Sequence, residues 1–193
     1  MANFWLGTYE RDKMECFREY LRPGSVVYDV GANVGIYTVL ACRMVGVEGR
    51  VFSFEPSPDN VQRLAENIRV NKFNNVEIVP SAVSVTDGFA TFDSEADPCV
   101  RKISESGALR VETVSLDSFV ASGKPFPNLM KIDVEGAELD VLRGAQKLLV
   151  EHGPTIFLAT HGEQVHAECV SFLKELGYGL TFLESDEILA RAA

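Results

Sequence analysis

The chain has 193 residues, 46% of them hydrophobic, enough to bury one continuous core and pointing to one domain, at most with a small appendage. Eighteen Lys and Arg stand against 28 Asp and Glu, a formal charge of −10 that repels phosphate backbones and argues against non-specific nucleic-acid binding. No run approaches the ~20 apolar residues that span a bilayer, no basic-then-apolar start marks a secretory signal, and Cys16, Cys42, Cys99 and Cys169 lack metal-knuckle or CxxC spacing; the expectation is a cytoplasmic protein with reduced thiols.

In chain order, residues 10–21 predict an amphipathic helix with Met14, Phe17, Tyr20 and Leu21 on one side, stopped by Arg22-Pro23-Gly24. Residues 26–30 are too short and too β-branched for a helix and predict a buried strand; a glycine turn follows, then a helix over 36–45. Residues 50–54 predict a second strand, 57–71 a second helix with Pro58 in its first turn, and 76–79 a third strand. The rhythm breaks at 86–115, where 89–92 and 109–114 read as paired antiparallel or edge strands around the polar stretch 94–107. It returns with a strand over 129–134, one helix over 137–150 ended by His152-Gly153-Pro154, and a strand over 155–159. A helix over 163–176, a last clear strand over 180–183 and a short edge strand at Ile188-Leu189 complete the chain. Strands alternating with helices imply right-handed crossovers and a doubly wound, mostly parallel α/β sheet. With no repeat or linker, residues 1–193 read as a single domain: an N-terminal segment and helix over 1–23, then a core over 24–193.

In such sheets ligands sit at the carboxyl ends of the strands, near the switch in strand order. After the first strand comes Asp29-Val30-Gly31-Ala32-Asn33-Val34-Gly35, whose glycines let the turn tighten and a ligand lie against bare backbone. A dinucleotide turn would need glycine at 33 and 36, which are Asn33 and Ile36; that departure, with an acid two residues before Gly31, favours an adenosyl amino acid over a pyrophosphate. Phe54-Glu55-Pro56-Ser57 follows the second strand and sets Glu55 to accept from both ribose hydroxyls, Ser57 or Pro58 serving the helix start. Ser81-Ala82-Val83, after the third strand, lies where an adenine would meet backbone. Lys131-Ile132-Asp133-Val134-Glu135-Gly136-Ala137-Glu138 brings acids to the edge that Gly31 occupies; Asp133 faces the cleft, whereas Glu138 reads as an acid favoured by a helix N-terminus.

These strings, together with Asn67, Asn71, Asn75-Val76 and Val141-Leu142-Arg143-Gly144-Ala145, resemble the FkbM-type S-adenosylmethionine (SAM)-dependent methyltransferases, in order from about residue 9 to 178. The resemblance implies a seven-stranded sheet with an antiparallel last strand, SAM as cofactor, and methylation of a hydroxyl on a sugar, glycolipid or polyketide-type acceptor. It implies that Asp29 and Gly31, Ala32, Asn33 and Gly35 hold the methionine part of SAM, Glu55 with Pro56 the ribose, and Ala82 the adenine edge. Asp133 would lie near the methionine amino group and the methyl donor. The chain departs from many relatives at Leu158-Ala159-Thr160-His161, where they carry an acid before the His, so no role for that carboxylate transfers.

A hydroxyl acceptor benefits from a base within hydrogen-bond reach. His161, just past the fifth long strand, is the first candidate because histidine titrates near neutral pH; Glu135 is second and Asp133 third. His152 reads as a helix end and His166 as a solvent-facing helix residue. No metal-ligand spacing stands out, so metal-independent chemistry is expected, although acids gather at Asp133 and Glu135. Residues 5–10, with Trp5 and Tyr9, either close over the ligands or staple the first helix; residues 94–107, with Arg101 and Lys102, are the other expected substrate contact. A non-catalytic SAM-binding module and a nicotinamide-dependent oxidoreductase remain alternatives, since a fold does not prove a reaction.

Overall fold

A computed structural model describes residues 11–92, 109–183 and 186–192. The segments 5–10 and 94–107, expected to contact substrate, lie outside the described residues. Helix α1 (Arg11–Tyr20) precedes β1 (Val26–Val30), α2 (Ile36–Val45), β2 (Arg50–Phe54), α3 (Pro58–Asn71) and β3 (Val76–Val79). Then come β4 (Ala82–Val83), β5 (Gly88–Phe92), β6 (Leu109–Val114), α4 (Leu116–Ala121), β7 (Leu129–Ile132), α5 (Glu138–Arg143) and α6 (Gln146–His152). The chain closes with β8 (Thr155–Ala159), α7 (Glu163–Glu175), β9 (Tyr178–Phe182) and β10 (Glu187–Ala192).

Seven strands form one sheet in the order β3-β2-β1-β7-β8-β10-β9, parallel except for β10, which pairs antiparallel with both neighbours. The chain runs outward from β1 to β3 and then returns to the other side of β1, so the topological switch lies between β1 and β7. Side chains alternate across the sheet. On one face Val27, Val51, Leu129, Phe157 and Leu189 pack against Phe17 of α1 and Ala41 and Val45 of α2. On the other, Tyr28, Phe54, Met130, Ile132 and Ile156 pack against Phe119, Leu142, Leu149, Cys169 and Leu173 of α4–α7. The rings of Tyr28, Phe52 and Phe54 each lie 5.1–5.7 Å from Phe119, and the Tyr28 hydroxyl donates to the Pro125 carbonyl at 2.8 Å, so this aromatic core leaves no buried hydroxyl wanting.

Three expectations need correction. The helix expected over 137–150 is two helices. Gly144 lies so close to the Ser84 carbonyl that a Cβ there would fall 2.0 Å from its oxygen, and the Gly144 carbonyl accepts from the Asp117 N–H instead of continuing the helix. Strand β10 is not a short edge strand; its six residues insert between β8 and β9, and β9 is the edge. Within the excursion β5 and β6 do pair antiparallel, but β4 joins them as a third, parallel strand, and α4 follows.

Candidate active site

The glycine turn leaves β1 at the switch point. Gly31 has φ +78°, and a Cβ on it would sit 1.9 Å from the Asp133 carbonyl oxygen, so the turn is pressed against the end of β7. The glycine is therefore required by backbone packing and not only by a ligand. The Gly31 and Ala32 N–H groups both donate to the Phe54 carbonyl, and Lys131 Nζ donates to the Gly31 carbonyl at 3.0 Å. Asn67 of α3 donates to the Val34 carbonyl at 2.8 Å, tying the far side of the turn.

Register explains what lies beneath. Asp29 pairs with Ser53 on β2 and with Lys131 on β7, so three polar side chains form a row on the α2 face. Thr38 of α2 closes the row, its hydroxyl 2.6 Å from Asp29 Oδ2 and 2.8 Å from Ser53 Oγ. Asp29 is 1% exposed, and Lys131 Nζ lies 3.7 Å from its Oδ1. Burial pushes this carboxyl above its ordinary range against the pull of Lys131 and the Thr38 hydrogen bond. Asp29, expected to help hold the methionine part of SAM, thus lies beneath the turn, bonded to Thr38. Thr38 and Ser53 escaped the sequence reading because only cross-strand register puts them beside Asp29.

Glu55 is buried at the end of β2. Its Oε2 accepts from the Asn33 N–H at 2.9 Å, and its Oε1 from the Ser57 N–H at 2.8 Å and the Asn60 amide at 3.4 Å. Burial raises its pKa, opposed by those bonds. Ser57 occupies the N-cap position of α3 without a side-chain cap bond, so Glu55, and not Ser57, takes the first orphan N–H of that helix. An ionised carboxylate offers about four lone-pair sites, and three are engaged here. Pro56 follows, half-buried, and Ala32 is buried in the turn. Ala82 lies in β4, packed with Val111 and Ala90 of the three-stranded excursion.

On the β7 side, Asp133, Glu135 and His161 converge. His161 Nε2 lies 3.7 Å from Asp133 Oδ1 and 3.6 Å from Glu135 Oε2, while Nδ1 is 2.8 Å from Glu138 Oε1. Glu138 is fully buried, and its Oε1 also accepts from the Gly136 N–H at 2.9 Å. Burial would raise the Glu138 pKa, but the bonds from His161 and Gly136 hold it below the ordinary value. The His161 pKa is raised by that same bond first, against partial burial, and then by the charges of Glu135, Glu138 and Asp133. Glu138, expected as a helix-terminus acid, does open α5, and it is also the hydrogen-bond partner of the histidine. Glu135 and Asn33 both hold positive φ, +56° and +51°, where side-chain residues pay about 1–2 kcal/mol; both flank the crevice.

Asp133, Glu135 and His161 each bring one donor atom within 4.8 Å of the others, a spacing that a cation would fit. Lys131 Nζ, 3.3 Å from Asp133 Oδ2, already supplies a positive charge there. Beside them a cavity of about 30 Å³, the room of one water, is lined by Tyr37, Lys131, Asp133, Ala159 and Glu187. Glu187 of β10 pairs directly opposite Ala159, so both border this cavity. The other histidines take no part. His152 ends α6 and stacks on Phe126 at 4.0 Å, and His166 is half-buried, not solvent-facing, with Nδ1 2.8 Å from the Thr160 hydroxyl.

The crevice suits an adenosyl amino acid on structural grounds. Asn33 Oδ1, in the turn itself, is a buried acceptor that lacks a hydrogen-bond partner among the described residues, and Glu55 retains acceptor capacity, so its walls call for hydrogen-bond donors.

Comparison with known proteins agrees. The chain is 33% identical over 145 residues to the hexuronic acid methyltransferase AglP of Haloferax volcanii, a match covering 72% of this chain and 58% of that protein. This chain thus spans less than two thirds of that relative's length. A crystal structure of a methyltransferase FkbM from Methylobacillus flagellatus superposes with a TM-score of 0.66 at 18% identity, over 92% of this chain and 50% of that one. A SAM-dependent methyltransferase from Aquifex aeolicus does so at 0.61 and 15% identity, over 100% and 97%. At these identities the structures show the fold: a class I methyltransferase sheet. The model of the methyltransferase FkbM domain matches residues 29–180, from the acid that braces the glycine turn to the edge strand, and the chain belongs to the FkbM methyltransferase family.

Proposed function

We propose that this chain is a SAM-dependent O-methyltransferase whose acceptor is a hydroxyl of a small, sugar-type molecule, a uronic acid or its glycoside first among them. The observation that carries the reading is the convergence of the Gly31 turn, Glu55 and the Asp133–Glu135–His161 group at one switch point in a chain 33% identical to a hexuronic acid methyltransferase. In this reading the turn from Gly31 to Gly35 and Asp133 hold the methionine end, Glu55 and Pro56 the ribose, and Ala82 the adenine side. SAM, when bound, supplies an electrophilic methyl group on a positively charged sulfur.

Alignment of acceptor and donor supplies most of the acceleration in such a displacement. The residues at the β7 edge add two things. Asp133 and Glu135 place negative charge where a cationic donor is wanted, and His161 Nε2 takes the proton of the acceptor hydroxyl, with Glu135 and then Asp133 as the alternative bases. With SAM bound, the acceptor oxygen would take the methyl group and sulfur would keep the bonding pair, while His161 would hold the hydroxyl proton as an imidazolium. We read the chemistry as metal-independent, since Lys131 already sets one positive charge beside the two carboxylates, whose net negative charge is left for the donor, and the protein as cytoplasmic, in keeping with the free thiols of Cys16, Cys42 and Cys169. No described helix is long and apolar enough to cross a membrane.

The test is S-adenosylhomocysteine (SAH) release from SAM with glucuronic acid, galacturonic acid and their methyl glycosides, run in EDTA. Turnover is expected in EDTA, and H161A is expected to lower kcat about 10²- to 10⁴-fold with SAM affinity unchanged. SAM binding without turnover on any acceptor would turn the reading to a non-catalytic module, and no SAM affinity would end it.

A further inference from the structure

We propose that Glu138 is a positioning residue for the methyl-transfer reaction, fixing the His161 ring through its Nδ1–H so that Nε2 is presented, as an acceptor, to the substrate hydroxyl between Asp133 and Glu135. The inference rests on the reading of His161 as the base and assigns a function to a side chain that the sequence marks only as a helix-terminus acid.

The geometry leaves Glu138 little other purpose. It opens α5 with no exposure to solvent, 2.8 Å from His161 Nδ1, while Oε2 is buried with no hydrogen-bond partner among the described residues. A half-satisfied buried carboxylate is costly, and an apolar side chain of like volume would often serve stability as well or better. What an apolar residue cannot do is set a tautomer. An ionised carboxylate only accepts, so the ring must donate from Nδ1, and in neutral His161 the lone pair then lies on Nε2. That nitrogen points toward Asp133 and Glu135 at 3.7 and 3.6 Å, too long for direct hydrogen bonds, so its lone pair is open to the proton of the substrate hydroxyl. When Nε2 takes the hydroxyl proton, the resulting imidazolium stays paired with the Glu138 carboxylate.

The charged and titratable groups around the pair are few. Asp133 and Glu135 face Nε2 from the β7–α5 turn, and Lys131 of β7 reaches Asp133. Cys169 of α7 lies near Glu138, its thiol pushed up to about 12 by burial and then by the Glu138 and Glu168 charges, against Arg143, and so neutral. Glu138 is thus the one carboxylate bonded to Nδ1, and the others act on the opposite nitrogen.

The experiment uses the full chain and E138Q, which keeps the size of the side chain. Two-dimensional 1H–15N NMR of the imidazoles, with the His161 signals assigned by their loss in H161A, reads tautomer and titration without any acceptor. Expected is a neutral His161 protonated on Nδ1 in the wild type, titrating above 6.5, and a downward shift of that titration in E138Q. In the SAH-release assay with the best uronic acid acceptor, E138Q is expected to lose about tenfold or more in kcat. The acid limb of its pH profile should move to lower pH while KM for SAM stays put. An Nε2–H tautomer in the wild type overturns the proposal even where E138Q fails to fold. So does a folded E138Q whose His161 titration and pH profile match the wild type. Failure of every acceptor leaves the NMR arm to decide the role of Glu138, and tells instead against the proposed reaction.

Discussion

At the scale of single residues, the acid at the end of β2 carries the plainest test. Glu55 already serves Asn33 and Ser57, so any ribose hydroxyl it takes meets a carboxylate held rigid by two backbone donors at 2.8–2.9 Å. A hydrogen bond to a charged group is worth about 1.5–3 kcal/mol. E55Q should therefore weaken SAH binding by roughly 10- to 100-fold in calorimetry, and an unchanged Kd in a folded variant would remove Glu55 from the ligand site. Residues such as Glu55, Asp133 and His161 were legible in the sequence because each stands just past a strand, and parallel strands deliver their carboxyl ends to one edge. Thr38, Ser53, Lys131 and Glu138 were not. Their roles arise from register between β2, β1 and β7 and from burial against a ring 23 residues away, relations that linear order does not encode. Asp29 shows the converse: its position near the end of β1 was read correctly, but its direction, down toward Thr38, depends on which sheet face α2 covers.

At the scale of elements, the strands of the large sheet follow from short β-branched runs and were legible nearly to the residue at β1, β2, β3 and β8. The split of the helix expected over 137–150 has one cause. The break at Gly144 and the start of α6 are set from α4, a helix with no signal in the sequence reading. Asp117 of α4 donates its N–H to the Gly144 carbonyl, and its carboxylate accepts from the Lys147 and Leu148 N–H groups at 3.0 and 2.8 Å, capping α6 from across a gap of 30 residues. A side chain borrowed from another helix is invisible to any search for a cap at the preceding residue, and the preceding residue here is Ala145. D117A should then behave as a lost N-cap, costing about 0.5–2 kcal/mol in urea denaturation while leaving SAH affinity intact. A denaturation midpoint equal to that of the wild type would show that the bond between α4 and α6 contributes nothing. Strand β10 was underestimated for a related reason: its neighbours on both sides, β8 and β9, supply the pairing that its Ala-rich end does not advertise.

At the scale of the whole molecule, charge and burial act in one direction, toward greatest stability on the acid side of neutrality. The formal charge of −10 at pH 7 disfavours the compact state by self-repulsion and shrinks as pH falls. Asp29 and Glu55 have folded pKa values raised mainly by burial, so their contribution is present at low pH and is lost as pH rises through those values. His161, raised above 6.5 by the Glu138 bond first, adds stability that is complete below 6.5 and is lost as pH climbs through its folded value. Glu138 has the opposite sign. Held below 4.5, against its own burial, by the bonds from His161 and Gly136, it contributes above 4.5 and fails as pH drops through its folded value. The His161–Glu138 pair is therefore intact between 4.5 and 6.5, and the other groups tilt the balance the same way above that window. Thermal unfolding followed by circular dichroism from about pH 4.5 to 8.5 should show Tm highest near pH 5–6.5 and falling toward the alkaline end. In E138Q the loss relative to wild type should be largest inside the window and should narrow above it, where His161 is neutral in both proteins. A wild-type Tm that climbs steadily to pH 8 would mean that these buried carboxylates are not held as the sheet and its turn require.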